Sequence, residues 1–342
     1  MPPNTIGEVD VEQRIEPVSW GVLSVANIAM TKVIPAMQAS ASSRVRAIAS
    51  RSLDRAERAA SELGIDSAYG SYEELLADPG IEAVYIPLPN HLHLEWAQAA
   101  ARAGKHVLCE KPLAMTSAEA KAMVETCDEA GVLLMEAFMY RLHPLWLKAK
   151  ELVDGGAIGE LRSVQTAFSY FNDDPTNIRN IPEVGGGALY DIGCYAVNAA
   201  RFLFGTEPTA VKGAILRDPD LGTDVVTSAV LDFGSGQSTF FCSTQMEPDQ
   251  RVDIHGTTGR IVIEIPFNIP PERTTRLLLI SGGDPPVSPA IEVHEVPPEN
   301  PYASQADAFS AAIRTGSPAP IPPADGVANL EVMERIFADA AG

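Results

Sequence analysis

Three side chains of this 342-residue sequence could together manage a proton and a developing oxyanion: Lys111, Asp191 and Tyr195. Lys111 stands in Cys109-Glu110-Lys111-Pro112-Leu113-Ala114. That segment directly follows a predicted strand at the carboxyl edge of a predicted parallel sheet, where open α/β folds bind ligands. Asp191 and Tyr195 stand four apart in Gly185-Gly186-Gly187-Ala188-Leu189-Tyr190-Asp191-Ile192-Gly193-Cys194-Tyr195. On a helix they project from one face, and the triple glycine lets that helix begin close to a bound ligand. Taken singly, each has a plainer reading: a solvated turn, a capping aspartate, a packing tyrosine. Together, an ammonium, a carboxylate and a phenol form a set for acid–base work on a hydroxyl or carbonyl.

Two regions must position them. From Val18 to about Glu136, short apolar runs alternate with longer amphipathic ones, the pattern of a parallel sheet covered by helices. Strands are predicted at Ser19–Ser24, Val45–Ser50, Ala83–Ile86, His106–Cys109 and Val132–Met135, with helices such as Asp54–Leu63 and Glu95–Ala103 between them. Ser71 with Glu74, and Thr116 with Glu119, have capping-box spacing and mark two further helix starts. After Pro144 a helix over Leu145–Val153 is followed by strands at Leu161–Tyr170, Thr209–Leu216, Thr223–Phe233, Gln237–Thr244, Arg251–His255, Arg260–Glu264, Arg276–Ile280 and Ala290–Val296. Turns at Gly234–Gly236 and Gly282–Gly283 join them into one mostly antiparallel open sheet. A helix over Ala188–Phe204 interrupts this run, and helices near Tyr302–Thr315 and Ala324–Ala340 close the chain. The expected fold class is therefore α/β plus α+β. A flexible arm spans 1–17, a Rossmann domain 18–140 and an α+β domain 141–342, with the last helices able to pack back on the Rossmann domain.

Composition narrows the partners. The 45 acidic and 25 basic residues leave a formal charge of −20, which repels nucleic acid and anionic lipid alike. Any phosphate site must then be built locally, and a neutral or cationic substrate suits the background better than an acidic one. Cys109, Cys127, Cys194 and Cys242 are scattered, without disulfide or zinc spacing, so no metal is expected and a reduced cytoplasm is the expected location. Neither a signal peptide nor a membrane-spanning run is expected from the sequence.

The first strand ends in Gly21-Val22-Leu23-Ser24-Val25-Ala26-Asn27-Ile28-Ala29, where a dinucleotide fold places its glycine-rich turn. Ser24 and Ala26 replace glycine, and Ala29 fits the third position; small residues still permit close approach to a pyrophosphate. An ordinary strand–helix turn is the alternative.

Four motifs in order, YIPLPNHLH at 85–93, AGKHVLCEKP at 103–112, MEAFMYRLHP at 135–144 and GGGALYDIGCY at 185–195, resemble the glucose–fructose oxidoreductase, inositol dehydrogenase and MocA family. The resemblance runs from about Val18 to the C-terminus. It implies a nicotinamide held between a Rossmann domain and a large open sheet, with Lys111 and its adjoining proline lining the hydride-transfer site. It also implies Tyr195 taking the hydroxyl proton, Lys111 holding the substrate oxygen and favouring the phenolate, and Asp191 accepting from a second hydroxyl or orienting its neighbours. Tyrosine at 195, where inositol dehydrogenases carry histidine, resembles the aldose and dihydrodiol dehydrogenases.

The cofactor expected is NADP. The second strand ends in Ser50-Arg51-Ser52 with no acid before Asp54, so nothing repels a 2′-phosphate, and Arg51 and Arg55 can meet it. The expected cofactor wall is Ser24, Ala26, Asn27, Ile28, Ser50, Arg51, Ser52, Arg55, Pro87, Leu88, Asn90, His93, Glu110, Lys111 and Arg141. Asn90 could instead cap a helix, and Arg141, also a candidate for substrate, could instead form a structural ion pair. The substrate expected is a sugar or polyol, first an aldose oxidised at C1 or exchanged with a second aldose, then a trans-dihydrodiol or a nucleotide-linked keto-sugar. A non-catalytic NADP-binding redox sensor is the alternative of another class. Apolar residues on both faces of Ile261-Val262-Ile263 and Leu277-Leu278-Leu279-Ile280 predict a homodimer or homotetramer through the second sheet.

Overall fold

The computed structural model describes residues 16–282 and 289–342. Most of the expected N-terminal arm, and Gly283 of the expected turn, lie outside them. The first sheet is made of β1 (Val18–Leu23), β2 (Ser43–Ala49), β3 (Ser67–Tyr69), β4 (Ala83–Ile86), β5 (His106–Cys109) and β6 (Leu134–Glu136). Every pairing is parallel and the order is β3-β2-β1-β4-β5-β6, the doubly wound Rossmann arrangement. Strands covered on both faces read as continuous apolar runs, and all four residues of β4 are buried. Between them lie α1 (Ile34–Ala39), α2 (Leu53–Leu63), α3 (Tyr72–Ala77), α4 (His93–Arg102) and α5 (Ser117–Ala130). Both capping boxes form: Ser71 Oγ accepts from the Glu74 N–H at 3.2 Å and Thr116 Oγ1 from the Glu119 N–H at 3.1 Å. The three-residue β3 falls below what alternation can reveal, and the sequence reading passed over it.

Beyond α6 (Pro144–Asp154) the second sheet contains β7 (Leu161–Phe171), then, after α7 (Cys194–Phe204), β8 (Ala210–Arg217), β9 (Asp224–Asp232), β10 (Gln237–Ser243), β11 (Gln245–Gly256), β12 (Gly259–Ile263), β13 (Thr275–Ser281) and β14 (Ala290–Val296). Its order is β14-β13-β12-β11-β7-β10-β9-β8, and only β7 with β10 is parallel. One face carries the buried row Leu231, Val164, Ile254 and Ile261. On the other face, Val262 pairs with Leu278 and Leu278 with Val293, while Ile280 pairs with Ile291. Val293 and Ile291 are 47% and 57% exposed, so an apolar stripe crosses three strands on the outside of the sheet.

The chain then returns to the first sheet. In α8 (Pro301–Thr315), Phe309 packs against Trp20 with ring centroids 5.9 Å apart, and Ser310 Oγ lies 3.1 Å from Ser43 Oγ. Arg314 of the same helix pairs with Glu82 at 2.6 Å. The last helix, α9 (Pro323–Ala340), lies against α5, α7 and β8. No helix among the described residues is long and apolar enough to cross a membrane.

Candidate active site

A cavity of about 1390 Å³ is lined on one side by the turns at the carboxyl edge of the first sheet and on the other by β7, residues 177–185, α7 and β11. Ser24, Ala26, Asn27, Ile28, Ser50, Arg51, Ser52, Arg55, Pro87, Leu88, Asn90, Glu110 and Lys111 all line it. Nothing larger than a hydroxymethyl or a methyl projects at Ser24 and Ala26, so the donor set and the room suit a dinucleotide's phosphates. Ser24 alone among the described non-glycine residues has positive φ, at 133°. The turn that usually employs a first glycine is thus made here by a strained serine, a conformation costing about 1–3 kcal/mol.

Two expected cofactor residues do not reach the cavity. His93 is fully buried, with Nδ1 3.0 Å from the Pro112 carbonyl and Nε2 2.8 Å from that of Leu88. It braces two lining turns from behind, and burial lowers its pKa. Arg141 places Nη1 3.2 Å from both Asn198 Oδ1 and Asp325 Oδ2, with its guanidinium 4.0 Å from the Phe202 ring centroid. It is a structural ion pair, and His143 likewise is spent on capping α6 by accepting from the Leu145 N–H at 3.1 Å. His93 follows the lining residue Leu92 but is turned into the core behind it, and Arg141 and His143 are engaged away from the cavity.

Lys111, Asp191 and Tyr195 come together in the wall of the cavity. The Lys111–Pro112 peptide is cis. Lys111 Nζ donates to the Asp191 carbonyl at 2.5 Å and to Asp191 Oδ1 at 3.3 Å, and lies 5.1 Å from the centroid of the Tyr195 ring. Leu189–Gly193 is a π-helical turn running into α7, so Asp191 leaves a widened turn rather than the regular helix face that its spacing predicts. Asp191 Oδ2 also accepts from Tyr170 Oη at 2.6 Å and Arg179 Nε at 3.1 Å. Burial pushes this carboxyl up, but the charges of Lys111 and Arg179 and the Tyr170 hydroxyl outweigh it, bringing its pKa down to about 2. Burial lowers the basicity of Lys111, but Asp191, Cys194 and Glu110 together outweigh it, so its pKa is raised.

Tyr195 departs from expectation. Its ring packs against Phe138, Phe168 and Phe267 at 5.2, 5.7 and 5.2 Å, and among the described residues its hydroxyl's hydrogen-bond partner is Met139 Sδ at 3.7 Å. Burial, then the Glu110 carboxyl, raises its pKa well above 10. The Lys111 ammonium lies over the ring face rather than in hydrogen bond with the oxygen, and the Tyr195 pKa stays raised despite it.

Residues 18–138 match a family model described as an oxidoreductase family with an NAD-binding Rossmann fold, and residues 146–262 match the GFO/IDH/MocA C-terminal domain. The chain belongs to the GFO/IDH/MocA family of oxidoreductases. It is 47% identical to an uncharacterized oxidoreductase, ORF334, of Rhizobium meliloti, over 93% of this chain and 96% of that protein. It is 40% identical to D-xylose 1-dehydrogenase (NADP(+)) 2 of Haloferax volcanii, over 94% and 97% of the two chains. Its fold is similar to the crystal structure of a 3-ketoreductase from Actinomadura kijaniata in complex with NADP and TDP-benzene. There the TM-score is 0.87 with 31% identity, covering 94% of this chain and 98% of that one.

Within this GFO/IDH/MocA site, sequence reasoning missed Tyr72, Tyr170, Arg179 and Tyr302, all of which line the cavity. Tyr170 ends a strand and Arg179 lies in an irregular segment, so no spacing ties either to Asp191. The triple glycine also has a different cause from the one expected. A Cβ at Gly186 would stand 2.7 Å from the carbonyl oxygens of Arg179 and Ile181, and one at Gly187 would collide with Asp224 Oδ1. The glycines let the 172–187 segment fold on itself, and only Gly185 reaches the cavity.

Behind Lys111, Glu136 Oε1 accepts from the Leu113 N–H at 2.7 Å, while Oε2 is buried without a partner among the described residues. Burial first, then the Asp325 carboxylate, raises the Glu136 pKa from 4.5 to about 8. Because the folded-state value is raised, the fold favours the protonated acid. The stabilisation is full below pH 4.5 and is lost as pH rises through about 8. Glu136→Gln keeps the oxygen that Leu113 needs and removes the ionisation. It should therefore raise the melting temperature little near pH 5 and progressively more towards pH 9, by an amount on the order of a few kcal/mol in stability. Thermal melts of both proteins across that range check this, and parallel pH profiles would refute it.

Proposed function

We propose that this chain is an NADP(H)-dependent oxidoreductase of sugar-like CH–OH groups, with oxidation of an aldose at C1 as its first reaction. The observation that carries the reading is that Lys111, Asp191 and Tyr195 come together in the wall of the cavity while Ser50, Arg51, Ser52 and Arg55 line the same cavity on the first-sheet side. Similarity to a xylose dehydrogenase over nearly the whole chain supports an aldose before a nucleotide-linked sugar.

The bound nicotinamide supplies the hydride acceptor or donor. An ammonium has three N–H groups, and Lys111 spends two on Asp191. The third is left for the substrate oxygen, where it stabilises negative charge as the C–O bond changes order. Tyr195 as the phenol gives its proton to that oxygen when a carbonyl is reduced, and as the phenolate it takes the hydroxyl proton when an alcohol is oxidised. Its raised pKa keeps the phenol protonated at neutral pH, and the phenolate base is populated only as pH rises.

The test is to incubate the protein with NADP⁺ and a panel of aldoses, trans-diols and polyols while following reduced nicotinamide by absorbance. Turnover is expected with aldoses, lactone being the product. Absence of turnover with every aldose, despite tight NADP binding, would favour the redox-sensor alternative.

The same reading includes a homodimer or homotetramer joined through the second sheet. The apolar stripe Val262, Leu278, Val293, Ile280 and Ile291 supports it, since such a patch on a soluble chain asks for cover. Light scattering at micromolar concentration should give at least twice the chain mass of 36.5 kDa, and Leu278→Glu should lower it to one chain. A monomeric wild type would overturn the assignment.

A further inference from the structure

Both carboxylate oxygens of Asp191 are taken up by protein donors, so it has little left to offer a substrate directly. What it does is hold two cations side by side: Lys111 through Oδ1 at 3.3 Å and Arg179 through Oδ2 at 3.1 Å. Arg179 is held from several directions. Its N–H donates to Asn177 Oδ1 at 3.1 Å, and its carbonyl accepts from the Gly187 N–H at 2.8 Å. The segment bearing it is tied across the cavity to the first sheet, where Asn90 Nδ2 donates to the Gly185 carbonyl at 2.9 Å. Only Nε of the guanidinium is engaged. Among the described residues neither Nη has a protein partner, and the side chain, 45% exposed, lines the cavity.

We propose that Arg179 is a specificity-determining residue, its two Nη groups binding the two neighbouring hydroxyl oxygens next to the reacting carbon of the sugar. This rests on the sugar oxidoreductase reading above. A planar fork of N–H donors matches two oxygens on adjacent carbons, and Lys111, one carboxylate away, is placed for the oxygen that reacts. A vicinal diol fits better than a carboxylate, because Asp191 already offsets one of the two cations, Asp249 lines the same cavity, and the chain's net charge is −20. Arg179 thereby connects the substrate's recognised face to the lysine that meets its reacting face.

The experiment compares wild type with Arg179→Gln and Arg179→Lys, using NADP⁺ with D-glucose and with 2-deoxy-D-glucose. For Arg179→Gln the KM for glucose should rise about tenfold or more, the loss of a charge-assisted hydrogen bond, while kcat changes by less than about threefold. The KM for the deoxy sugar, which lacks one of the two oxygens, should change much less, so that the two losses are coupled. Should the glutamine variant fail to fold, the lysine variant keeps a charge beside Asp191 but lacks the fork, and should show the same difference between sugars. Equal effects on both sugars, or a fall in kcat with an altered pH profile for both, would mean that Arg179 only props Asp191, and would overturn the proposal. Wild-type kinetics equal to those of the variants would overturn it too. A wild type inactive on all sugars would instead bring down the underlying reading, and this inference with it.

Discussion

Tyr195→Phe should lower turnover by roughly 10²- to 10⁴-fold while leaving NADP(H) affinity within about twofold, the range expected when a general acid–base is removed from an otherwise intact site. The substitution is clean by construction. The ring that packs against Phe138, Phe168 and Phe267 is kept, and the hydroxyl that is lost has Met139 Sδ as its hydrogen-bond partner among the described residues, so the fold loses almost nothing. Lys111→Ala should cost a similar factor. It removes the N–H aimed at the substrate oxygen and also leaves Asp191 balanced by Arg179 alone. On the proposed mechanism the two residues serve one transition state, so the double variant should be hardly worse than either single one. The raised pKa of Tyr195 adds a sign. In the wild type, sugar oxidation should climb with pH through the alkaline range, since the base is the phenolate, and Tyr195→Phe should flatten that climb. Turnover falling less than tenfold in Tyr195→Phe, or an unchanged alkaline limb, would remove Tyr195 from the proton path.

Much of this arrangement was legible because the relevant physics is local. Two-residue alternation outlined all eight strands of the second sheet, and strand-then-helix alternation outlined the first, since burial on one face or two leaves a period in the residues themselves. Lys111 and Tyr195 were within reach of reasoning for the same cause, each lying at the end of a readable element. The rest depended on contacts that no spacing encodes. The π-helical turn at Leu189–Gly193 differs from an α-turn by one hydrogen-bond register, and nothing in Leu-Tyr-Asp-Ile-Gly announces it. Arg179 and Tyr170 reach Asp191 from 12 and 21 residues away along irregular chain. His93 and Arg141 follow a strand end or turn near the expected cofactor, but both are spent on partners in the supporting layer, which no spacing reveals. The structure brings Lys111 to the Tyr195 ring, over its face rather than at its oxygen. Whether an ammonium lowers a phenol's pKa depends on which part of the ring it meets and how dry the ring is, and both are tertiary facts.

Arg51→Ala should shift the preference for NADP over NAD by roughly ten- to hundredfold, the worth of one charge-assisted hydrogen bond of about 1.5–3 kcal/mol. In NAD-specific Rossmann folds the strand after the phosphate turn ends in an acid that binds the ribose hydroxyls and repels a 2′-phosphate. Here β2 ends at Ala49 and is followed by Ser50, Arg51 and Ser52, all three lining the cavity, with the first acid, Asp54, inside the first turn of α2 and away from the cavity wall. Ser50 is buried, and its Oγ lies 3.4 Å from the Ser52 N–H, so the corner is shaped by short polar groups. Arg55, one helical turn on, lines the same cavity. Tyr72 lines the same cavity, where burial raises the pKa of its phenol and the charges of Arg51 and Arg55 pull it down. Two guanidinium groups lining one cavity corner repel, and a 2′-phosphate between them would offset that repulsion. NAD, lacking it, leaves that repulsion in place, so catalytic efficiency with NAD should improve or hold in Arg51→Ala while efficiency with NADP falls. Arg55→Ala should give a smaller shift in the same direction, and the two together should approach equal use of both cofactors. Measuring kcat/KM with each cofactor on one saturating sugar decides the matter. Equal efficiencies in the wild type, or an Arg51→Ala variant with the wild-type ratio, would mean that the corner does not read the phosphate.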